Sequence, residues 1–207
     1  MFKRFIWKSF SNQTENKKEA KRIKDEFQKG YWNDFKALNS TGGRFYEPTN
    51  SLNLDIKIPD IKVTDLLNNK TTLAKVVKGR PTIIGIAFNE YGNLQLNDYK
   101  SFYDTNLKGT IQYVHISVEE TWLKSIILKA VIPHLRSKIP KEEHSKYLLS
   151  TFKKVYDLKE ELGILNKYTP WVYLINKRGA VRWNIHGKPS DTELKLLQRL
   201  AKQVSLE

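Results

Sequence analysis

The chain has 207 residues, 40% of them apolar and 12% aromatic, enough for one domain with extensions or two small ones built on a real core. It contains no cysteine, which excludes disulfides, thiolate redox chemistry, Cys-ligated zinc and iron–sulfur clusters. No stretch approaches the 20 or so apolar residues that span a bilayer, and a net charge of +14 points to nucleic acid, anionic lipid or plain solubility in a basic compartment.

Met1 to Phe10 carries Lys3, Arg4 and Lys8 and no acid, with Phe2, Ile6 and Phe10 at helical spacing. That pattern suits a mitochondrial presequence, and no long apolar stretch of the secretory kind follows it. A Lys-rich segment continues to about residue 30. Tyr31 to Leu38 reads as a short amphipathic helix ended by Gly42-Gly43. Next, Leu52, Leu54, Ile56 and Ile58 alternate with Asn53, Asp55 and Lys57, the period of a half-buried strand closed by Pro59. Ile61 to Leu66 is a second short strand, followed by a turn at Asn68-Asn69.

Gly79-Arg80-Pro81 leads into TIIGIAF, Thr82 to Phe88, a continuous apolar run that predicts a central strand buried on both faces. Its exit, Asn89 to Asn93, lies at the strand's carboxyl end, where open α/β sheets place their sites. A helix over Leu94 to Asn106 and a strand over Ile111 to Val118 complete a strand–helix–strand unit with parallel strands. Trp122 to Leu135 is the most apolar helical stretch, with Pro133 expected to kink or end it. Pro140 suits the first turn of a helix running to about Lys154, and another helix over Leu158 to Leu162 ends at Gly163.

Lys167 to Gly187 is the organising stretch. Trp171 to Asn176 is a nearly unbroken apolar run, Asn176 to Gly179 a polar connection, and Val181, Trp183 and Ile185 alternate with polar residues. This reads as one β-hairpin. Ser190 and Glu193 then form a capping box opening a last helix, with Leu194, Leu197, Ala201 and Val204 on one face.

Several of these pieces, YWNDFK with Gly42-Gly43, IPDI at Ile58 to Ile61, GRPTIIGIAF at Gly79 to Phe88 and NKYTPWVYLINKRGAVRW at Asn166 to Trp183, come in one order and cover most of the chain. Together they resemble the mitochondrial family known in yeasts as ATPase complex subunit ten, which assists assembly of the F-type ATP synthase. The resemblance implies an α/β, thioredoxin-like mixed sheet flanked by helices, with a helical insertion. Residues 1–30 form a basic segment by composition, and the resemblance implies an extension at 31–58 and the thioredoxin-like domain at 59–207. It also implies a non-catalytic chaperone, with no cofactor. Its client is membrane subunit a of the Fo sector, and it sits peripherally on the matrix side of the inner membrane. A cis Thr169–Pro170 bond follows from the thioredoxin-like resemblance. The Asn184-Ile185-His186 run departs from the small residues that the family resemblance leads one to expect after the Arg-Trp pair.

In a thioredoxin-like oxidoreductase the nucleophilic Cys would sit near Asn89 to Asn93. Here that loop carries Glu90 and Tyr91, so redox catalysis has no nucleophile. His115, His134, His144 and His186 lie in four different predicted elements, without the i, i+4 spacing of helical metal ligands. Trp171, Arg182 and Trp183 are candidates for a partner-binding surface, because aromatics and Arg bury interface area at low entropic cost. The competing reading makes both tryptophans hairpin core. Trp122, Ile126 and Ile127 are the other partner-binding candidates, on a stretch that is either core or an apolar patch that shields a membrane client or touches lipid. A thioredoxin-like mitoribosomal or RNA-binding protein is the alternative, and it requires clustered Lys/Arg with exposed aromatics.

Overall fold

The apolar runs of the sequence become the centre of one eight-stranded sheet. The computed structural model describes residues 47–119, 132–151 and 155–207. The strands are β1 (Ile56–Lys57), β2 (Lys62–Asp65), β3 (Lys70–Thr72), β4 (Thr82–Ala87), β5 (Gln112–Glu119), β6 (Tyr147–Thr151), β7 (Trp171–Ile175) and β8 (Ala180–His186). They lie in the order β1-β8-β7-β4-β5-β6-β2-β3. β4 is parallel to β5 and β5 to β6, while β7 runs antiparallel to both β4 and β8. This is the expected mixed sheet.

β4 and β7 are buried at every position, as strands covered on both faces must be. One face carries Ile84, Ile86, Val114, Ile116, Trp171 and Tyr173 in its core. The other packs against α2 (Glu90–Asn106) and α4 (Asp191–Leu206) through Leu96, Tyr99, Leu174, Trp183, Leu197 and Leu200. Two shorter helices are α1 (Leu73–Val77) and α3 (Val155–Leu162). Gly163 follows α3 with φ at +65°, a left-handed turn where glycine carries no Cβ penalty. The capping box of α4 forms in both directions between Ser190 and Glu193.

Three expectations need correction. The strand read over Leu52 to Ile58 pairs as a ladder only at Ile56–Lys57; single hydrogen bonds from Leu54 to Arg182 and from Ile58 to Gly179 flank it. The helix read from Pro140 to Lys154 is a single 3₁₀ turn at Lys141–Glu143 followed by strand β6. Leu148 and Leu149 favour helix by intrinsic propensity, but pairing with β5 on one side and β2 on the other decides the outcome. Finally, no cis peptide occurs among the described residues, so Thr169–Pro170 is trans. There the Asn166 side chain caps the turn, accepting from the backbone N–H groups of Tyr168 and Thr169 and from the Thr169 hydroxyl. The ordinary trans preference of an X–Pro bond holds.

The readings of residues 1–10 and 31–38 lie outside the described residues, as does most of Trp122 to Leu135. Residues 132–138 are helical and contain Pro133.

Candidate functional site

The exit of β4 is held by one residue. Asn89 caps α2 by accepting from the N–H of Gly92 at 2.7 Å and donates its amide to the Lys167 carbonyl at 2.7 Å. A Cβ on Gly92 would lie 3.3 Å from Ala87 Cβ and 3.6 Å from Pro170 N, so the first turn of α2 approaches the Thr169-Pro170 segment closely. The loop and the proline are therefore brought together as a thioredoxin-like arrangement implies. No residue of that loop carries a thiol.

Beside this junction a cavity of about 850 Å³ opens along α2. Its floor is the end of β4 at Phe88 and one face of β5, where Tyr113, His115 and Ser117 point the same way by strand alternation. Asn93, Asn97 and Lys100 of α2, one helical turn apart, form one wall. Leu135, Lys138 and Ile139, with Glu143 and Tyr147, form the other.

His115 is the central polar group. Its Nε2 lies 2.9 Å from Asn93 Oδ1, and its ring stacks on Tyr147 with centroids 4.3 Å apart and planes 9° from parallel. An amide oxygen only accepts, so Nε2 carries the proton and Nδ1 is left an acceptor. Burial, aided by the Lys100 charge, pushes the imidazole down to about 4, so it is neutral at physiological pH. Lys100 itself is opposed by burial, but its bonds to Asp104 (2.6 Å) and Glu143 (2.7 Å) outweigh that and raise it. The Lys100–Glu143 pair ties α2 to the opposite wall. Tyr113 is raised far above the phenol range by burial first, and its hydroxyl has no hydrogen-bond partner among the described residues.

The residues singled out from sequence have other roles. Trp171 and Trp183 are both 0% exposed. Trp171 donates to the Asn166 carbonyl and stacks on His186, and Trp183 donates to the Thr49 carbonyl. Both are core, because each indole is covered on all sides and its N–H is satisfied by backbone. Arg182 binds the Leu54 carbonyl at 2.8 Å and Glu207 at 3.2 Å, fastening the segment before β1 and the end of α4 to β8. It is a structural clasp. Trp122, Ile126 and Ile127 fall outside the described residues. Among the four histidines, His115 and His134 share the cavity lining, a meeting that their separate elements concealed. No group of three His, Cys, Asp or Glu residues suited to a metal ion occurs among the described residues. The sequence signal that could have found the site is the alternation Tyr113, His115, Ser117: polar-capable residues on one face of the strand that pairs with β4.

Known proteins resemble the chain at two levels. The sequence profile described as ATP10 protein matches residues 3–204. The mitochondrial ATPase complex subunit ATP10 of Eremothecium gossypii is 22% identical over 197 residues, covering 91% of this chain and 72% of that protein. Its counterpart in Candida glabrata is 20% identical over 210 residues, covering 97% and 77%. Among solved structures, the thioredoxin domain of a thiol-disulfide oxidoreductase from Bacteroides vulgatus superposes with a TM-score of 0.50 at 18% identity, covering 74% of this chain and 99% of that one. A SCO1/SenC family lipoprotein from Bacillus anthracis gives 0.53 at 15% identity, covering 78% and 99%. At such identities the structural likeness establishes the thioredoxin-like fold and nothing about chemistry.

Proposed function

The chain belongs to the ATP10 family, and on that premise we propose that it is a non-catalytic assembly factor of the mitochondrial ATP synthase, acting on newly made membrane subunit a. The family match over nearly the whole chain carries this reading. The chemistry of the site supports it. A thioredoxin-like scaffold whose loop after β4 has Asn89, Glu90 and Tyr91 in place of thiols keeps the architecture of an oxidoreductase and loses its reaction.

What remains is a surface for holding another molecule. A membrane subunit awaiting assembly exposes apolar helices that must be screened from water, and a partner can do this only with apolar surface of its own. Trp122, Ile126 and Ile127 are the sequence's candidates for that contact. No helix among the described residues is long and apolar enough to cross a membrane. With a charge of +14, association with the anionic matrix face of the inner membrane is the peripheral location we propose.

Purification of the tagged full chain from detergent-solubilised mitochondria, after pulse-labelling of newly translated subunits, tests the proposal. Labelled subunit a should co-purify, and the yield should survive nuclease treatment. Recovery of ribosomal RNA in its place, lost with nuclease or moderate salt, would favour the RNA-binding reading.

A further inference from the structure

The cavity beside α2 sets polar groups between apolar walls, and no group of three metal-ligating residues occurs among the described residues. From Glu90 to Lys100 the wall rises about 15 Å at 1.5 Å per residue, the length of four or five extended residues at about 3.3 Å each. Phe88, Leu135 and Ile139 supply apolar walls, yet the groups between them are polar. His115 Nδ1 is an acceptor to which no described residue donates, and the Nε2 bond to Asn93 fixes the ring and its tautomer. Asn97 adds an amide and Ser117 a hydroxyl to the same lining. A hydrocarbon chain filling the cavity would bury these groups unpaired, which is unfavourable. A polypeptide offers one donor and one acceptor per residue and can pair them.

The charges on the lining nearly balance. Lys100 is already neutralised by Asp104 and Glu143. Lys108, Lys138 and Lys146 on the lining are set against Glu90 and Glu142, leaving one positive charge in excess.

We propose that this cavity docks a short extended segment of the client polypeptide, four or five largely apolar residues, with a backbone N–H donating to His115 Nδ1. The docking site rests on the assembly-factor reading. It assigns the described part of the client contact to α2, β5 and the 134–147 segment.

The test places the photoreactive residue p-benzoylphenylalanine, one position at a time, at Asn97 and Lys138 on the two walls. Lys202, exposed on α4 and outside the lining, is the control. Each full-length variant is irradiated in isolated mitochondria while translation products are radiolabelled. Asn97 and Lys138 should each give an adduct with a labelled ATP synthase subunit, at least tenfold above Lys202. His115→Phe, which keeps an aromatic ring against Tyr147 and removes the acceptor together with the bond to Asn93, should lower the adduct yield at Asn97 at least fivefold in a chain that still melts cooperatively at neutral pH. Equal adducts at Lys202, or an adduct with the mass of a lipid, would overturn the proposal. If the wild-type chain co-purifies with the subunit while both cavity positions give no adduct, the docking site fails and the assembly reading stands. If co-purification fails as well, both fall.

Discussion

Gly85 lies in the middle of β4, under α2, where any side chain must intrude on the cavity floor. A Cβ there would stand 2.7 Å from Tyr113 Oη and 2.9 and 3.2 Å from the two Cδ atoms of Leu96. Ordinary contacts lie at about 3.5–4.0 Å, so Gly85→Ala forces both neighbours to retreat by roughly 0.5 Å or more. Leu96 and Tyr113 are both buried and have little room to move. Overpacking of this kind costs about 1–3 kcal/mol, less about 0.5–1 kcal/mol recovered by removing glycine from a strand interior. A net loss of about 1–2 kcal/mol is expected. Tyr113→Phe should do the opposite. Its hydroxyl is buried without a partner among the described residues, so its removal relieves a desolvation penalty and should be neutral or stabilising by about 1 kcal/mol. Combined, the second change removes the closest contact of the first, and the double variant should recover at least half of the loss. Urea unfolding of the four proteins, with a common m-value, measures the cycle. If Tyr113→Phe alone costs more than about 1 kcal/mol, or the two changes simply add, the packing account of the floor is wrong.

Other outcomes follow from the same contacts. His115 has a folded value near 4, below its ordinary 6.5. Between those limits only the unfolded chain takes up the proton, so stability is full above pH 6.5 and is lost as pH falls toward 4. The loss is at most about 3 kcal/mol, and His115→Phe should flatten the dependence of melting temperature on pH across that window. Asn89→Ala removes both the α2 cap and the bond to Lys167, and should cost about 2 kcal/mol in denaturant unfolding. Glu193→Ala breaks one half of the capping box of α4 and should cost about 1 kcal/mol by the same assay. Replacing Trp122, Ile126 and Ile127 with Ser should leave the melting temperature nearly unchanged and weaken client capture. Loss of both together would place that stretch in the core.

The parts of the fold that could be read from sequence are those decided locally or by plain periodicity. Thr82 to Ala87 announces a central strand because six consecutive positions are buried. Ser190 and Glu193 announce a helix start because the box is made of residues three apart. The hairpin at Trp171 to His186 is legible for both reasons. What was misread depended on partners distant in sequence. Tyr147 to Thr151 has no strand alternation of its own and extends because β5 and β2 flank it. Trp171 and Trp183 can be read as core or as anchors until the Asn166 and Thr49 carbonyls accept their indole N–H groups. The cavity was the least legible. Asn93, His115 and Tyr147 come from three elements and meet only when α2 folds back over the parallel strands.

We propose that this chain serves ATP synthase assembly by binding and not by catalysis. Cells depleted of it should be complemented with the wild-type chain and with a variant whose loop is neutralised by Glu90→Gln and Tyr91→Phe, and the ATP synthase resolved on native gels. Depletion should leave the soluble catalytic sector assembled and the membrane sector incomplete, and both chains should restore the whole complex to the same level. An intact complex in depleted cells, or restoration by the wild-type chain alone, would contradict the account.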